Sequence, residues 1–329
     1  YLVQGGVQRA GGGARINVRL LEAGSGRILW AERYSGAMQD IFELQDRVVG
    51  GIVAGLPAGI GGPPPPRAPA TDSIAAYDAF LRGQVRYARR TPADNAAARA
   101  DFAEAIALDP GFARAYAALA LVWSRRAIDG WTATPEAALS RAAKLAEKAA
   151  AMDPGLPQTH FVRGQVALFR GRHGEAARAV QAALDRNPNY ADAHALLAWV
   201  LNYAGRPDQA WAALEEALRR NPASTASYDE VAGEVHFARA DYREAARAFR
   251  AALARNPAHG RARLWLAATL QRLGHPDEAA WQLEELRAIV PSFSLDRLAF
   301  AFPFKDPRQR ESVTAAIAAA ASAAEGASK

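Results

Sequence analysis

The amino-acid sequence predicts a mainly α fold: a right-handed superhelical stack of helical hairpins (an α-solenoid), preceded by a small, incomplete α/β segment. Three observations carry that expectation. Alanine dominates the hydrophobic half of the 329 residues, and alanine is the strongest helix former. Prolines follow Asp, Asn or Val at Pro110, Pro154, Pro188, Pro222, Pro257 and Pro291, at intervals of 44, 34, 34, 35 and 34 residues. Residues 1–56 instead carry the period-two alternation of half-buried strands.

Taken in order, the run from Tyr1 to Gln8 reads as a strand, and Gly11 to Gly13 as a turn where positive φ is inexpensive. Ile16, Val18 and Leu20 alternate with Asn17 and Arg19 in a second strand, and Ala23 to Gly26 form a second turn. Ile28 to Tyr34 make a third strand. Asp40 stands where it would cap a helix reaching about Leu56, with Ile41, Leu44, Val48 and Ile52 along one face. Three strands and one helix bury little apolar surface by themselves, so residues 1–56 read as the back half of an α/β domain. Residues 57–71, with Gly61-Gly62 running into Pro63 to Pro66, cannot continue a helix and read as an extended linker.

Residues 72–291 divide into six units near 74–110, 113–154, 157–188, 191–222, 225–257 and 260–291. Each closes where proline stops the second helix and pushes the residue before it out of the α region. The third unit places Gly164, Gly171, Ala176, Val180 and Ala183 at positions 8, 15, 20, 24 and 27. Ala198, Gly205, Ala210, Leu214 and Ala217 repeat this pattern in the fourth unit, and Ala267, Gly274, Ala279, Leu283 and Leu286 in the sixth. Small residues at 8 and 20 let two helices touch, and glycine at 15 accepts the turn between them. Extra residues are expected around Arg90-Thr91-Pro92 in the first unit. Ten more fall in the second, in a loop holding Gly130-Trp131-Thr132. Residues 292–329 are expected to cap the stack with the aromatic run Phe293 to Phe304, then a final helix from Pro307 to about Ala324 and a tail.

This period and these positions resemble the tetratricopeptide-repeat (TPR) family over about 220 residues. The stretches Tyr1–Arg9, Arg15–Gly26, Leu29–Tyr34 and Asp40–Asp46 are similar to the second half of the TolB-amino-terminal-like (FlgO-like) α/β module of bacteria. That module often precedes TPRs in signalling proteins, behind a class III adenylate/guanylate cyclase domain or a winged-helix domain. The resemblance, with a first residue that is Tyr rather than Met, implies the regulatory carboxy-terminal part of such a protein. Its expected place is cytoplasmic, or periplasmic where the parent has an upstream membrane span. No cyclase motif lies in this chain.

The chemistry-bearing patterns are few. There is no Cys, hence no disulfide, zinc–thiolate or thiol nucleophile. Neither Gly-x-Ser-x-Gly, a phosphate-binding Gly-x-x-x-x-Gly-Lys nor His-Glu-x-x-His occurs, so no catalytic residue, cofactor or metal is expected. His160 and His194 share repeat position 4, but neighbouring repeats stand about 10 Å apart, too far for one metal ion with ligands near about 2 Å. No run of about 18 apolar residues is present, so no membrane span is expected. The net charge is +6, yet Arg residues are interleaved with Asp and Glu, which favours solvated helix faces over a nucleic-acid surface.

In stacked TPR hairpins the first helices line a concave groove, chiefly through positions 2, 5, 9, 12 and 13. Those positions give Arg125, Phe161, Gln165, Trp199, Asn202, Tyr203, Glu234, Phe237, Gln271 and Arg272 as candidate partner-binding residues, with Arg114, Leu121, Asp192 and Arg261 alongside. Trp199, Asn202 and Tyr203 are the sharpest cluster, since rigid aromatics beside an amide suit an extended peptide. Trp199 and Tyr203 equally fit a packing role between repeats. The expected partner is a protein, a peptide or an effector domain of the same protein.

Overall fold

In residues 1–37 the period-two alternation resolves into three antiparallel strands, β1 (Leu2–Ala10), β2 (Gly13–Leu21) and β3 (Ile28–Ala37), in the order β1-β2-β3. Gly11 and Gly12 take φ of 56° and 77° in the first hairpin turn, a region that only glycine enters without a Cβ penalty. Helix α1 (Ile41–Ala54) packs on β3 and β2. Of its apolar face only Leu44 is fully enclosed, against Ala14, Val18 and Leu20 of β2. Gly51 and Gly55 let the Tyr34 and Trp30 rings of β3 lie on the helix, where a Cβ would collide. Leu2, Val3 and Val7 of the edge strand β1 stay exposed.

The computed structural model describes residues 1–56, 71–223, 225–290 and 293–327, and forms two compact units, Tyr1–Ile74 and Ala75–Lys329. The linker prolines 63–66, Pro291 and the last two residues lie outside the described residues.

In the second unit the proline-and-glycine punctuation becomes six helical hairpins among the described residues. They are α2 (Ile74–Arg89) with α3 (Pro92–Leu108), α4 (Ala113–Ile128) with α5 (Pro135–Met152), and α6 (Pro157–Phe169) with α7 (His173–Arg186). Next come α8 (Ala191–Tyr203) with α9 (Pro207–Arg220), α10 (Ala226–Ala238) with α11 (Tyr242–Arg255), and α12 (Gly260–Leu273) with α13 (Pro276–Ile289). Five of these helices open on proline at the first position, where the missing N–H is not needed. At the closing turns, Asp109, Asp153, Asn187 and Asn256 are extended before their prolines. Their side chains accept the N–H two residues on, at 2.9–3.1 Å. The Asx-Pro pair therefore both stops the helix and folds the turn.

Positions 8, 20 and 24 perform the close packing. A Cβ on Gly164 would stand 2.8 Å from Val180, and one on Gly233 would stand 2.5 Å from the Phe249 ring. The second unit's ten extra residues are not confined to a loop. Helices α4 and α5 run 16 and 18 residues, against 13 and 14 in the next hairpin, and Trp131 tucks inward at 8% exposure.

Position 15 takes φ of 72°, 78° and 78° at Gly171, Gly205 and Gly274, and φ of 63° at Ala240. An L-residue there carries a left-handed penalty of about 1–2 kcal/mol, part of which glycine's greater unfolded-state freedom returns. Ala240→Gly is therefore expected to stabilise the chain by about 0.5–1 kcal/mol, read as a rise in the urea midpoint at constant slope. An unchanged or lower midpoint would remove the strain assigned to Ala240.

Each second helix packs on the first helix of the next hairpin, and successive first helices α4, α6, α8, α10 and α12 also touch. They face the interior, and the coil is tight enough to meet itself. Arg90, which follows α2 with φ of 54°, donates from its side chain to Ser227 Oγ at the start of α10. Its backbone carbonyl accepts from Asn256 Nδ2 at 3.3 Å. The first hairpin thus touches the fifth, an approach that the repeat period does not announce.

After α13 the chain forms a short 3-10 turn (Leu295–Arg297), the single turn α14 (Leu298–Ala301) and the long helix α15 (Pro307–Ala327). The sequence suggests that the aromatic run covers the last hairpin. In the structure α15 covers it, packing on α12 and α13 with Val313 and Ile317 buried. Phe300, Phe302 and Phe304 turn into the coil, onto Phe169, Trp265 and Tyr203.

Candidate functional site

The inner faces of the first helices meet around two features, a polar cavity and a buried ion network. The cavity holds about 70 Å³ and its wall includes Arg90, Arg125, Phe161, Gln165, Trp199 and Tyr228. Four residues expected in the groove, Arg125, Phe161, Gln165 and Trp199, are thereby brought together from α4, α6 and α8. Helical spacing puts them there, since one repeat places one first-helix residue on the inner face per turn. Arg125 is held by Asp129 at 3.3 Å, one turn later in chain order. Gln165 accepts from Ser124 Oγ at 2.9 Å. Tyr228 donates to Asp192 at 2.7 Å.

The ion network lies beside this wall. Arg261 of α12 donates through Nε to Glu230 at 2.7 Å, and through one terminal nitrogen to Glu234 at 3.0 Å and the Tyr203 hydroxyl at 2.9 Å. Its other terminal nitrogen reaches the carbonyl of Ala301 at 2.7 Å. The guanidinium lies 4.8 Å from the Trp199 ring centre and 5.5 Å from that of Phe169, within cation–π range. Glu230 also meets His259 at 3.3 Å. All of these side chains are almost wholly buried.

The charges divide unevenly. Burial works to raise the Glu230 pKa, but His259 and Arg261 outweigh it and hold the carboxyl below its ordinary value. Burial pushes Glu234 up to about 8 despite Arg261 beside it, and the Glu230 charge pushes the same way. Burial lowers the pKa of His259 against the pull of Glu230. At neutral pH the cluster is therefore Arg261 with ionised Glu230, a neutral Glu234 and a neutral His259. One full charge pair fits a dry interior better than two carboxylates on one guanidinium.

The other expected groove residues fall elsewhere. Asn202 is buried at 1% exposure, with neither its amide nitrogen nor its oxygen hydrogen-bonded. Phe237 packs on Tyr242 and Trp265, at 5.2 Å in each case. Gln271 is half-buried, and Arg272 is exposed and donates to Ser312 of α15 at 3.1 Å. Arg272 thus meets the covering helix rather than the cavity. The residues expected from the sequence did not include Arg90, Tyr228, Glu230 or His259, nor residues 298–305. The first hairpin's part in the wall follows from the closure of the coil, for which the sequence carries no local signal. Glu230 did carry one: it stands at position 5, one of the groove-lining positions, a turn before Glu234 at position 9.

Two stretches of this solenoid, residues 161–225 and 236–295, match family models described as the tetratricopeptide repeat. The chain therefore carries TPRs, and proteins with this repeat bind peptides or partner proteins. A curated protein of Rhizobium meliloti (strain 1021) named "Putative adenylate cyclase 3" is 29% identical over 178 residues, covering 54% of this chain and 30% of that protein. The chain thus spans less than a third of that relative's length. Among solved structures, the thermophilic TPR protein TTC0263 of Thermus thermophilus is 22% identical, covering 60% of this chain and 99% of its own, with a TM-score of 0.47. The PilF structure of Pseudomonas aeruginosa is 20% identical, covering 67% and 93%, with a TM-score of 0.42. Among the described residues no helix is long and apolar enough to cross a membrane, and no three His, Asp or Glu side chains converge as metal ligands would.

Proposed function

We propose that this chain is a protein-interaction and regulatory TPR module that takes a peptide or partner domain on its concave face. The observation that carries this reading is the wall of Arg125, Phe161, Gln165 and Trp199, which sets aromatic rings beside an amide and a charge on consecutive first helices. Rigid aromatics beside an amide suit an extended segment at little rotamer cost, and these side chains, 2–7% exposed around a cavity of about 70 Å³, are reached where the interior opens. The test is a screen of extended synthetic peptides and candidate effector domains against the whole chain. Ligands are expected to lose at least tenfold in affinity with Trp199→Ala, about 1.4 kcal/mol, while circular dichroism shows the variant folded. Ligands indifferent to Trp199 and Gln165 would sink this use of the concave face.

A second reading concerns the parent protein. The relative named as an adenylate cyclase, together with a chain covering only 30% of it, supports placing these repeats behind a class III cyclase domain. Residues 1–56 then serve as the second half of a TolB-amino-terminal-like domain, and the exposed apolar edge of β1 suits a strand pairing there. On this reading the full-length parent converts ATP to cyclic AMP, the present chain alone does not, and removing residues 75–329 changes the rate. A full-length parent inert towards both ATP and GTP would end it.

A further inference from the structure

Residues 298–305, Leu-Ala-Phe-Ala-Phe-Pro-Phe-Lys, hold to the last hairpin along its inner helix α12, through Arg261 and Trp265. They also cross the interior to the third and fourth hairpins. The Lys305 N–H donates to the Tyr203 carbonyl at the end of α8, at 2.9 Å. His173 Nε2, at the start of α7, lies 2.7 Å from the Pro303 carbonyl. Arg261 of α12 donates to the Ala301 carbonyl at 2.7 Å. A tight turn, Phe304 N–H to Phe302 carbonyl at 2.8 Å, aims alternate rings into the wall. Phe302 meets Trp265 edge-on at 4.9 Å, Phe304 meets Tyr203 at 4.8 Å, and Phe300 meets Phe169 at 5.8 Å.

This is the bonding of a bound peptide: main-chain carbonyls and an N–H held by side chains and a helix end, with alternate aromatics seated on aromatics.

Resting on the interaction-module reading, we infer that the concave face around Tyr203 and Trp265 accepts an extended partner segment with aromatic residues at alternate positions. Residues 298–305 are the chain's own competitor for that place. Partner binding then requires the segment to leave, and the chain's affinity is set by the difference between the two occupants.

The experiment uses the whole chain and a labelled synthetic peptide of the sequence Leu298 to Asp306, with a scrambled version as control. In the double variant Phe302→Ala/Phe304→Ala the built-in rings are gone, and the peptide is expected to bind at least tenfold tighter than to the unmodified chain, with the scrambled peptide binding neither. Hydrogen exchange at the amides of residues 300, 301, 302, 304 and 305 is expected to accelerate when the peptide binds the unmodified chain. If the double variant loses helical content, His173→Ala, which removes a single anchor, takes its place with a smaller gain expected. Equal affinity for unmodified and variant chains, or binding with exchange at those amides unchanged, would overturn the inference. A Trp199-dependent ligand that leaves those amides protected would overturn it too, while leaving the interaction-module reading intact. Absence of any Trp199-dependent ligand would remove both.

Discussion

Replacing Arg261 by Ala is expected to destabilise the second unit by about 3–5 kcal/mol, the usual consequence of removing one partner from a buried ion pair. Its Glu230 partner has a side chain only 1% exposed. Without the guanidinium, that carboxylate keeps His259 at 3.3 Å, whose own charging burial opposes, and the weaker pull of Arg125. The same substitution takes a donor from the Tyr203 hydroxyl and from Glu234, and the cation from the Trp199 and Phe169 faces. Against a typical total of about 5–15 kcal/mol for a domain, this is a large share. Urea unfolding followed by circular dichroism measures it. Arg261→Lys is expected to recover only part, because one ammonium cannot reach Glu230, Glu234 and the Ala301 carbonyl together. A loss below about 1 kcal/mol for the Ala variant would show that the network is not the keystone its geometry implies.

The second large effect is a pH dependence centred on Glu234. Its folded pKa, about 8, lies above the ordinary value of 4.5. Between those values the folded chain holds a proton that the unfolded chain has released. Stability from this group is therefore full below about pH 4.5 and is lost as pH rises towards 8, by at most about 1.4 kcal/mol per pH unit. His259 works in the opposite direction. Its folded pKa is lowered, so the unfolded chain takes up a proton below pH 6.5 that the folded chain refuses, and stability falls as pH drops through that window. Glu230, held low, likewise contributes stability that is lost only in strong acid. The two slopes offset one another below pH 6.5 and leave Glu234 alone above it. Glu234→Gln keeps the shape and removes the titration. The melting temperature of this variant, relative to the unmodified chain, is expected to climb from about pH 4.5 to about pH 8 and to level off above that. A difference that stays flat over that range would mean that Glu234 is ionised in the folded chain throughout.

The fold was legible wherever the cause is local. Asx-Pro pairs at Asp109, Asp153, Asn187 and Asn256, glycines at 171, 205 and 274, and small residues at 164, 176, 198 and 210 act on their own turn or on the neighbouring helix. A sequence displays such chemistry directly. What it did not display is the cumulative rotation from hairpin to hairpin. That rotation brings Arg90 to Ser227 and Asn256, places the first hairpin in the cavity wall, and decides what the aromatic run meets. Phe300, Phe302 and Phe304 are plainly apolar in alternation, but the choice between the outer face of the last hairpin and the interior depends on how far the coil has turned. Ala240 shows the other kind of miss, a glycine position filled by another residue and held in shape by its neighbours. The same distinction runs through the proposed site. Trp199 and Gln165 could be placed on an inner stripe from spacing alone, whereas the pairing of Arg261 with Glu230 and Glu234 needed the relative heights of adjacent helices.

The contact between the first and fifth hairpins changes how this array responds to editing and to force. An open row of repeats behaves as beads that interact only with the next bead, so units can be added, removed or unzipped from either end. Here the ring of Arg90, Ser227 and Asn256 acts as a clasp across the coil. Excising one whole repeat between them would leave the clasp's two halves facing the wrong neighbours. Pulling the first and fifth hairpins apart would load the clasp before the hairpins between them could peel away, so the stretch from Arg90 to Asn256 should yield as one piece and not bead by bead.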